Sequence, residues 1–156
     1  FAGNCYWNDP DMLVTGEQGM TVNEQKAHFA LWCIMSSPLM LGNDPRNMTK
    51  EEKEIILNDI AIDINQDPSE QGKLFFEDGL SEIWVKKLSN GSRAVLLLNR
   101  DQHQTKRIEL KPKDLGLNGK VNVYDVYAKK ELQKAKQSVS YSIEPATGLF
   151  LLIGHK

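Results

Sequence analysis

The segment Tyr6-Trp-Asn-Asp-Pro-Asp-Met-Leu13 sets two carboxylates, Asp9 and Asp11, on either side of a proline. Paired acids are what hydrolysis of a glycosidic bond requires. A retaining mechanism places its two carboxyls about 5–5.5 Å apart and an inverting one places them farther. Asp9 precedes Pro10, which pushes its backbone toward extended conformations. Pro10 has no amide proton for a sheet ladder, so the segment belongs at a strand end. Alternation along an extended strand would turn Asp9 and Asp11 to one side, with Cα atoms roughly 7 Å apart. At the C-terminal end of a barrel strand, that side looks into the active site. Direction argues against a catalytic pair, because nucleophile and proton donor must reach the anomeric centre from different sides. Two readings stay ahead of it: each Asp braces a loop by accepting backbone amides, or one contacts a ligand.

The remaining chemistry-bearing residues have plainer roles. His28 lies on an apolar helix, where a satisfied core histidine is expected, and His103 and His155 are expected in solvent. Trp32 and Trp84 read as core, Trp7 and Asn8 as support for the strand. Asn43-Asp44-Pro45-Arg46 could edge a pocket or form an Asx turn opening the next helix. Lys129, Lys130, Lys134 and Lys136 read as a solvated face. Cys5 and Cys33 are the only cysteines. Without a CxxC or Cys/His cluster no metal site is expected, and free buried thiols are favoured over a disulfide. The triplets at Asn47 and Asn90 match the glycosylation pattern, which occurs by chance at this length.

These residues need elements to hold them. Thr21 and Glu24 have capping-box spacing ahead of a helix from Val22 to Met35, apolar on nearly every side from Ala27 onward. Pro38 stops it, and PLMLG reads as a short buried strand. Thr49 and Glu52 open a second helix, Lys50 to Leu57, followed by the apolar stretch Ile60 to Ile64. That alternation has the rhythm of parallel βα units. Near residue 70 the pattern changes. KLFFED, EIWVKKL, RAVLLLN, QTKRIEL, VNVYDVY, SVSYSI and LFLLI are strand-like runs between turn signals, which predicts an antiparallel sandwich or barrel. Ala94 to Leu98, apolar on both faces, belongs at its centre.

The chain has 156 residues, 40% hydrophobic and 26% charged, with a formal net charge of −2. That balance describes a globular protein with no basic face for nucleic acid. The longest apolar run falls short of the ~20 residues of a spanning helix. No signal peptide is visible, and the opening FAGNCYW begins as if mid-pattern, so a fragment or processed product is expected. Two or three βα units cannot close an eight-stranded barrel or hide an all-round apolar helix. A large upstream part is therefore expected, and without it the chain should self-associate.

YWNDPDML, HFALWCIMSSPLMLGNDPRNM and IAIDINQDP, in that order, resemble the C-terminal part of family 27 glycoside hydrolases, the α-galactosidase or melibiase family. The resemblance implies an α/β plus all-β chain. Residues 1–71 would be the C-terminal segment of a catalytic (β/α)8 barrel, and residues 72–156 an antiparallel β-sandwich. It implies double displacement at a terminal α-galactosidic bond by two aspartates in a YxKxDxC-like and an RxxxD motif. Neither motif occurs here, since no arginine of the chain has Asp four residues on. No catalytic residue is thus assigned, and this chain alone is expected to be inactive. Asp11 would sit near the proton donor and a sugar hydroxyl, and Met12 would pack on the sugar ring. Where the family reads GPGG or GPG, this chain has Gly3-Asn-Cys-Tyr6. The implied partners are an α-galactoside oligosaccharide and the upstream barrel portion, with no cofactor, nucleic acid or membrane. The family makes a secreted, periplasmic or lysosomal setting plausible. Alternatives are an α-N-acetylgalactosaminidase or β-L-arabinopyranosidase of the same family, or a structural or sugar-binding module. A binding module wants exposed aromatics, whereas Trp84, Phe75 and Phe76 read as core.

Overall fold

The computed structural model describes residue 2 and residues 6–155. Three helices come first: α1 (Val22–Ile34), α2 (Lys50–Ile56) and α3 (Asp59–Gln66), with a 3-10 turn at Pro45–Asn47. Eight strands follow: β1 (Lys73–Asp78), β2 (Ser81–Lys87), β3 (Arg93–Asn99), β4 (Lys106–Leu110), β5 (Val121–Asp125), β6 (Lys130–Ala135), β7 (Val139–Ile143) and β8 (Thr147–Gly154). They form a six-stranded sheet, β1-β2-β3-β8-β5-β6, and a two-stranded ribbon, β4-β7, paired antiparallel throughout.

Both capping boxes form. Thr21 Oγ1 accepts the Glu24 amide at 3.3 Å while Glu24 accepts the Thr21 amide at 2.8 Å. Thr49 and Glu52 repeat the exchange at 3.2 and 2.7 Å. In the apolar stretch Ile60 to Ile64 the structure has a helix, not a strand in a βα alternation. Asn58 Oδ1 accepts the Ala61 amide and starts α3. A short apolar run suits a buried strand or a buried helix turn, and the cap decides between them. The PLMLG strand contracts to one parallel bridge, Leu13 to Leu41. There the Leu13 amide donates to Met40 O at 2.7 Å and the Gly42 amide to Leu13 O at 2.8 Å. Met40, expected to be buried, is 62% exposed.

The sheet has two apolar faces, each covered. Ala94, Leu96, Leu98 and Phe150 pack with Ala27, Phe29, Ala30, Cys33 and Ile34 of α1. Val95, Leu97, Leu151 and Ile153 face Ile108, Leu110, Val139 and Ile143 of the β4-β7 ribbon. Coverage on both sides explains the unbroken apolar run of β3. The helix lies so close that a Cβ on Gly148 would come within 3.2 Å of Ala27, besides 2.7 Å from Leu96 on the neighbouring strand. Val95, Leu97 and Phe150 are fully buried, while Tyr124 and Leu152 are half-buried.

Two strand readings change. β6 lies among the lysines taken for a solvated face. It is an edge strand whose Lys130 and Lys134 do point to solvent. β1 was expected to carry core aromatics, yet every residue of it is exposed, with Phe75 at 47% and Phe76 at 50%. It is the opposite edge strand, bulged between Leu74 and Phe76, and alternation along it gives no buried face.

Candidate functional site

The two opening carboxylates separate by role. Asp9 Oδ1 accepts the Asp11 amide at 2.9 Å, closing a turn on its own backbone. That turn holds Asp11 at φ 77°, a left-handed conformation that Asp tolerates better than most residues. The extended alternation therefore breaks at Asp11, and the two acids do not form a strand-end pair. Asp9 braces the loop. Asp11 is exposed, and among the described residues its carboxylate has no hydrogen bond or ion pair.

The following residues fasten this wall to the body of the molecule. Met12 is 49% exposed and lies over Gly42, where an added Cβ would stand 3.2 Å from Met12 Cβ and 3.3 Å from Leu13 O. A Cβ at that position would require Met12 or the Leu13 carbonyl to shift by a few tenths of an ångström. Leu13 is 1% exposed and anchors the bridge to Leu41. The Val14 amide donates to His28 Nε2 at 3.2 Å, and the His28 ring lies against Trp32 with centroids 4.1 Å apart and planes tilted by 47°. An accepting Nε2 requires the neutral imidazole, and burial lowers the pKa in the direction that keeps it neutral. Thus His28 is a satisfied structural histidine. Asn8 Nδ2 donates to Gln71 Oε1 at 2.9 Å, the supporting role expected of it.

Asp44 makes the Asx turn. It accepts the Arg46 amide at 3.0 Å and chelates the Arg46 guanidinium at 2.6–3.0 Å. That guanidinium holds the Asp44 carboxyl below its ordinary range. Behind it, Thr15 Oγ1 and Asn43 Oδ1 are buried with no partner among the described residues. Five surface clefts of about 300 to 700 Å³ include neither Asp11 nor Met12 in their linings. The wall therefore has no facing surface in these clefts. Cys33 is a free, buried thiol whose pKa burial pushes up, while Cys5 lies outside the described residues. Among the described residues no group of three or more His, Cys, Asp or Glu could hold a metal ion, and no helix is long and apolar enough to cross a membrane.

Sequence reasoning missed Lys86. This β2 lysine has 0% exposure, and its ammonium donates to Ser36 Oγ at 2.6 Å, Ile64 O at 2.5 Å and Asn65 O at 3.2 Å. Burial lowers its pKa to about 8, opposed by the nearby Asp67 and Cys33. In EIWVKKL only the strand alternation, which turns Lys86 to the face of Trp84, could have signalled it.

The chain thus consists of a parallel bridge flanking α1, two further short helices and a two-layer antiparallel β unit, with a carboxylate unpaired among the described residues in the loop ahead of the bridge. Residues 1–67 match the family description "Alpha galactosidase A", and residues 78–152 match "Alpha galactosidase C-terminal beta sandwich domain". The chain is 38% identical over 148 residues to an α-galactosidase of Oryza sativa subsp. japonica, covering 93% of this chain and 35% of the relative. It is 32% identical over 147 residues to an α-N-acetylgalactosaminidase of Gallus gallus, covering 92% and 36%. The crystal structure of α-galactosidase I from Mortierella vinacea superposes with a TM-score of 0.89 at 28% identity, covering 96% of this chain and 40% of that one. By name these relatives are glycoside hydrolases. The chain belongs to the melibiase family, family 27 of the glycoside hydrolases, and corresponds to its C-terminal portion. It spans about a third of the length of the relatives it matches.

Proposed function

We propose that the protein carrying this chain is a retaining glycoside hydrolase that releases terminal α-linked galactose, and that Asp11 and Met12 form a wall of its sugar site. One observation carries the assignment of residues. The Asp11 carboxylate is exposed and unpaired among the described residues, yet its backbone is held in a left-handed turn by Asp9, beside an exposed Met12 seated on Gly42. A carboxylate fixed in place but left without a protein partner suits a sugar hydroxyl, and a thioether suits the apolar face of a pyranose ring. In this reading the nucleophile and the acid/base lie on other strands, and residues 1–156 contribute binding only. Binding that is equal in ground and transition states does not speed the chemistry. We assign residues 1–71 to the catalytic barrel and residues 72–156 to the sandwich.

The test uses the full-length protein. It should hydrolyse an α-galactoside with the first-formed product keeping the α configuration, as followed by proton NMR. Asp11→Asn should lower kcat/KM for an α-galactoside about a hundredfold, chiefly through KM, with the melting temperature unchanged. A lowered melting temperature with full activity in the remaining folded enzyme would make Asp11 a loop brace. The similarity to the Gallus gallus enzyme supports a second reading, in which the sugar is N-acetylgalactosamine. Parallel assays with the two α-glycosides decide between them.

A further inference from the structure

Lys86 uses all three of its ammonium donors on three acceptors: the Ser36 hydroxyl and the carbonyls of Ile64 and Asn65. The two carbonyls belong to the last turn of α3, where the helix dipole favours a cation. Among the described residues no carboxylate pairs with it at ion-pair distance. Burying an ammonium without a counter-ion is costly, and an apolar side chain of similar size is often neutral or stabilising in such a place. Its position suggests what the cation does.

We propose that Lys86 is a positioning residue for the sugar-facing wall: from the sandwich it holds the turn after α1, and through that turn the segment on which Met12 rests. Ser36, whose hydroxyl it grips, has φ 52°. Its amide donates to Cys33 O at 3.3 Å, and the Ser37 amide to Trp32 O at 3.0 Å. From α3, Asn65 Nδ2 donates to Ser37 O at 2.9 Å and clamps the other side of the turn. The chain leaving this clamp reaches Met40, whose carbonyl takes the Leu13 amide, and then Gly42, whose bare Cα receives Met12. The path from the sandwich to the wall thus runs through one hydroxyl, a tight turn and a parallel bridge. Without the ammonium, Ser36 Oγ and two buried carbonyls lose their donor, and the turn loses its hold from β2.

The substrate readout rests on the α-galactosidase reading above, so the test has a second arm. In the full-length protein, well below its unfolding temperature, Lys86→Met should weaken competitive inhibition by galactose about tenfold. KM for an α-galactoside should rise in step while kcat changes less, and Lys86→Arg should recover part of the loss. Ser36→Gly suits the positive φ and removes the hydroxymethyl group that Lys86 grips. It should act in the same direction and add little to Lys86→Met in the double variant. Unchanged galactose inhibition with a shifted melting temperature would overturn the proposal. If the wild-type protein neither cleaves α-galactosides nor binds galactose, the activity reading fails, and positioning is judged by hydrogen exchange. Faster exchange of the Leu13 and Gly42 amides in Lys86→Met then supports it, and unchanged exchange overturns it. Should Lys86→Met not fold, Ser36→Gly is judged by the same readouts.

Discussion

The helical region and the β region of this chain finish their own interiors to different degrees. In the β region α1 covers one face of the main sheet and the β4-β7 ribbon covers the other. All four buried polar atoms without a partner among the described residues lie in the helical region: Thr15 Oγ1, Trp32 Nε1, Ser37 Oγ and Asn43 Oδ1. So do the most exposed large apolar side chains, Tyr6 at 76%, Leu57 at 68% and Met40 at 62%. Buried polar groups in folded proteins are normally satisfied, and exposed apolar residues clustered around unsatisfied ones mark a surface built against something else. The β region has both faces of its main sheet covered, one of them by α1, and leaves Leu74, Phe75, Phe76 and Leu80 exposed along the β1 edge and its turn. The helical region keeps unsatisfied polar atoms inside and large apolar side chains outside, a pattern that a further surface packed against it would complete, and the chain spans about a third of the length of its relatives.

The comparison can be broken most simply by taking the chain alone. Purified residues 1–156 should show no α-galactoside hydrolysis above buffer and should self-associate, measured by product release and light scattering. Robust turnover by a monomer would put the whole site in this chain. Core truncation comes next. Phe150→Ala, at a fully buried site against Tyr127, should cost about 3–5 kcal/mol in denaturant unfolding. Met40→Ala should be near neutral in the isolated chain and clearly destabilising in the full-length protein, if Met40 is covered there.

Lys86 joins the two regions, and its titration should be visible in stability. Its folded pKa, about 8, lies below the ordinary lysine value of 10.5, with Asp67 and Cys33 the titratable groups beside it. Between those values the unfolded chain binds more protons than the folded one, so stability rises as pH rises from 8 to 10.5. It is lost as pH falls back through 8. The gain should reach up to about 3 kcal/mol and be absent from Lys86→Met. Identical pH profiles for the two proteins would show that the ammonium is not desolvated. The smallest effect is local: Thr49→Ala removes the α2 cap and should cost about 1 kcal/mol, with no effect on the β region.

What the sequence determined by itself was whatever depends on neighbours a few residues away. Capping boxes join residues three apart, so both helix starts were legible at Thr21 and Thr49. Turn signals and apolar runs located seven of the eight strands, and three ordered motifs pointed to the family before any coordinates. What only the tertiary structure decided was which surfaces meet. Phe75 and Phe76 look like core residues in isolation and become exposed because β1 is an edge strand. Lys86 looks solvated and becomes buried because Ser36, 50 residues away, and the end of α3 close over it. Asp11 leaves the extended pattern because Asp9 spends its carboxylate on the Asp11 amide, a bond that alternation does not anticipate. Spacing encodes the elements because their hydrogen bonds are local. Burial is settled by long-range packing, and no short window of sequence contains both partners.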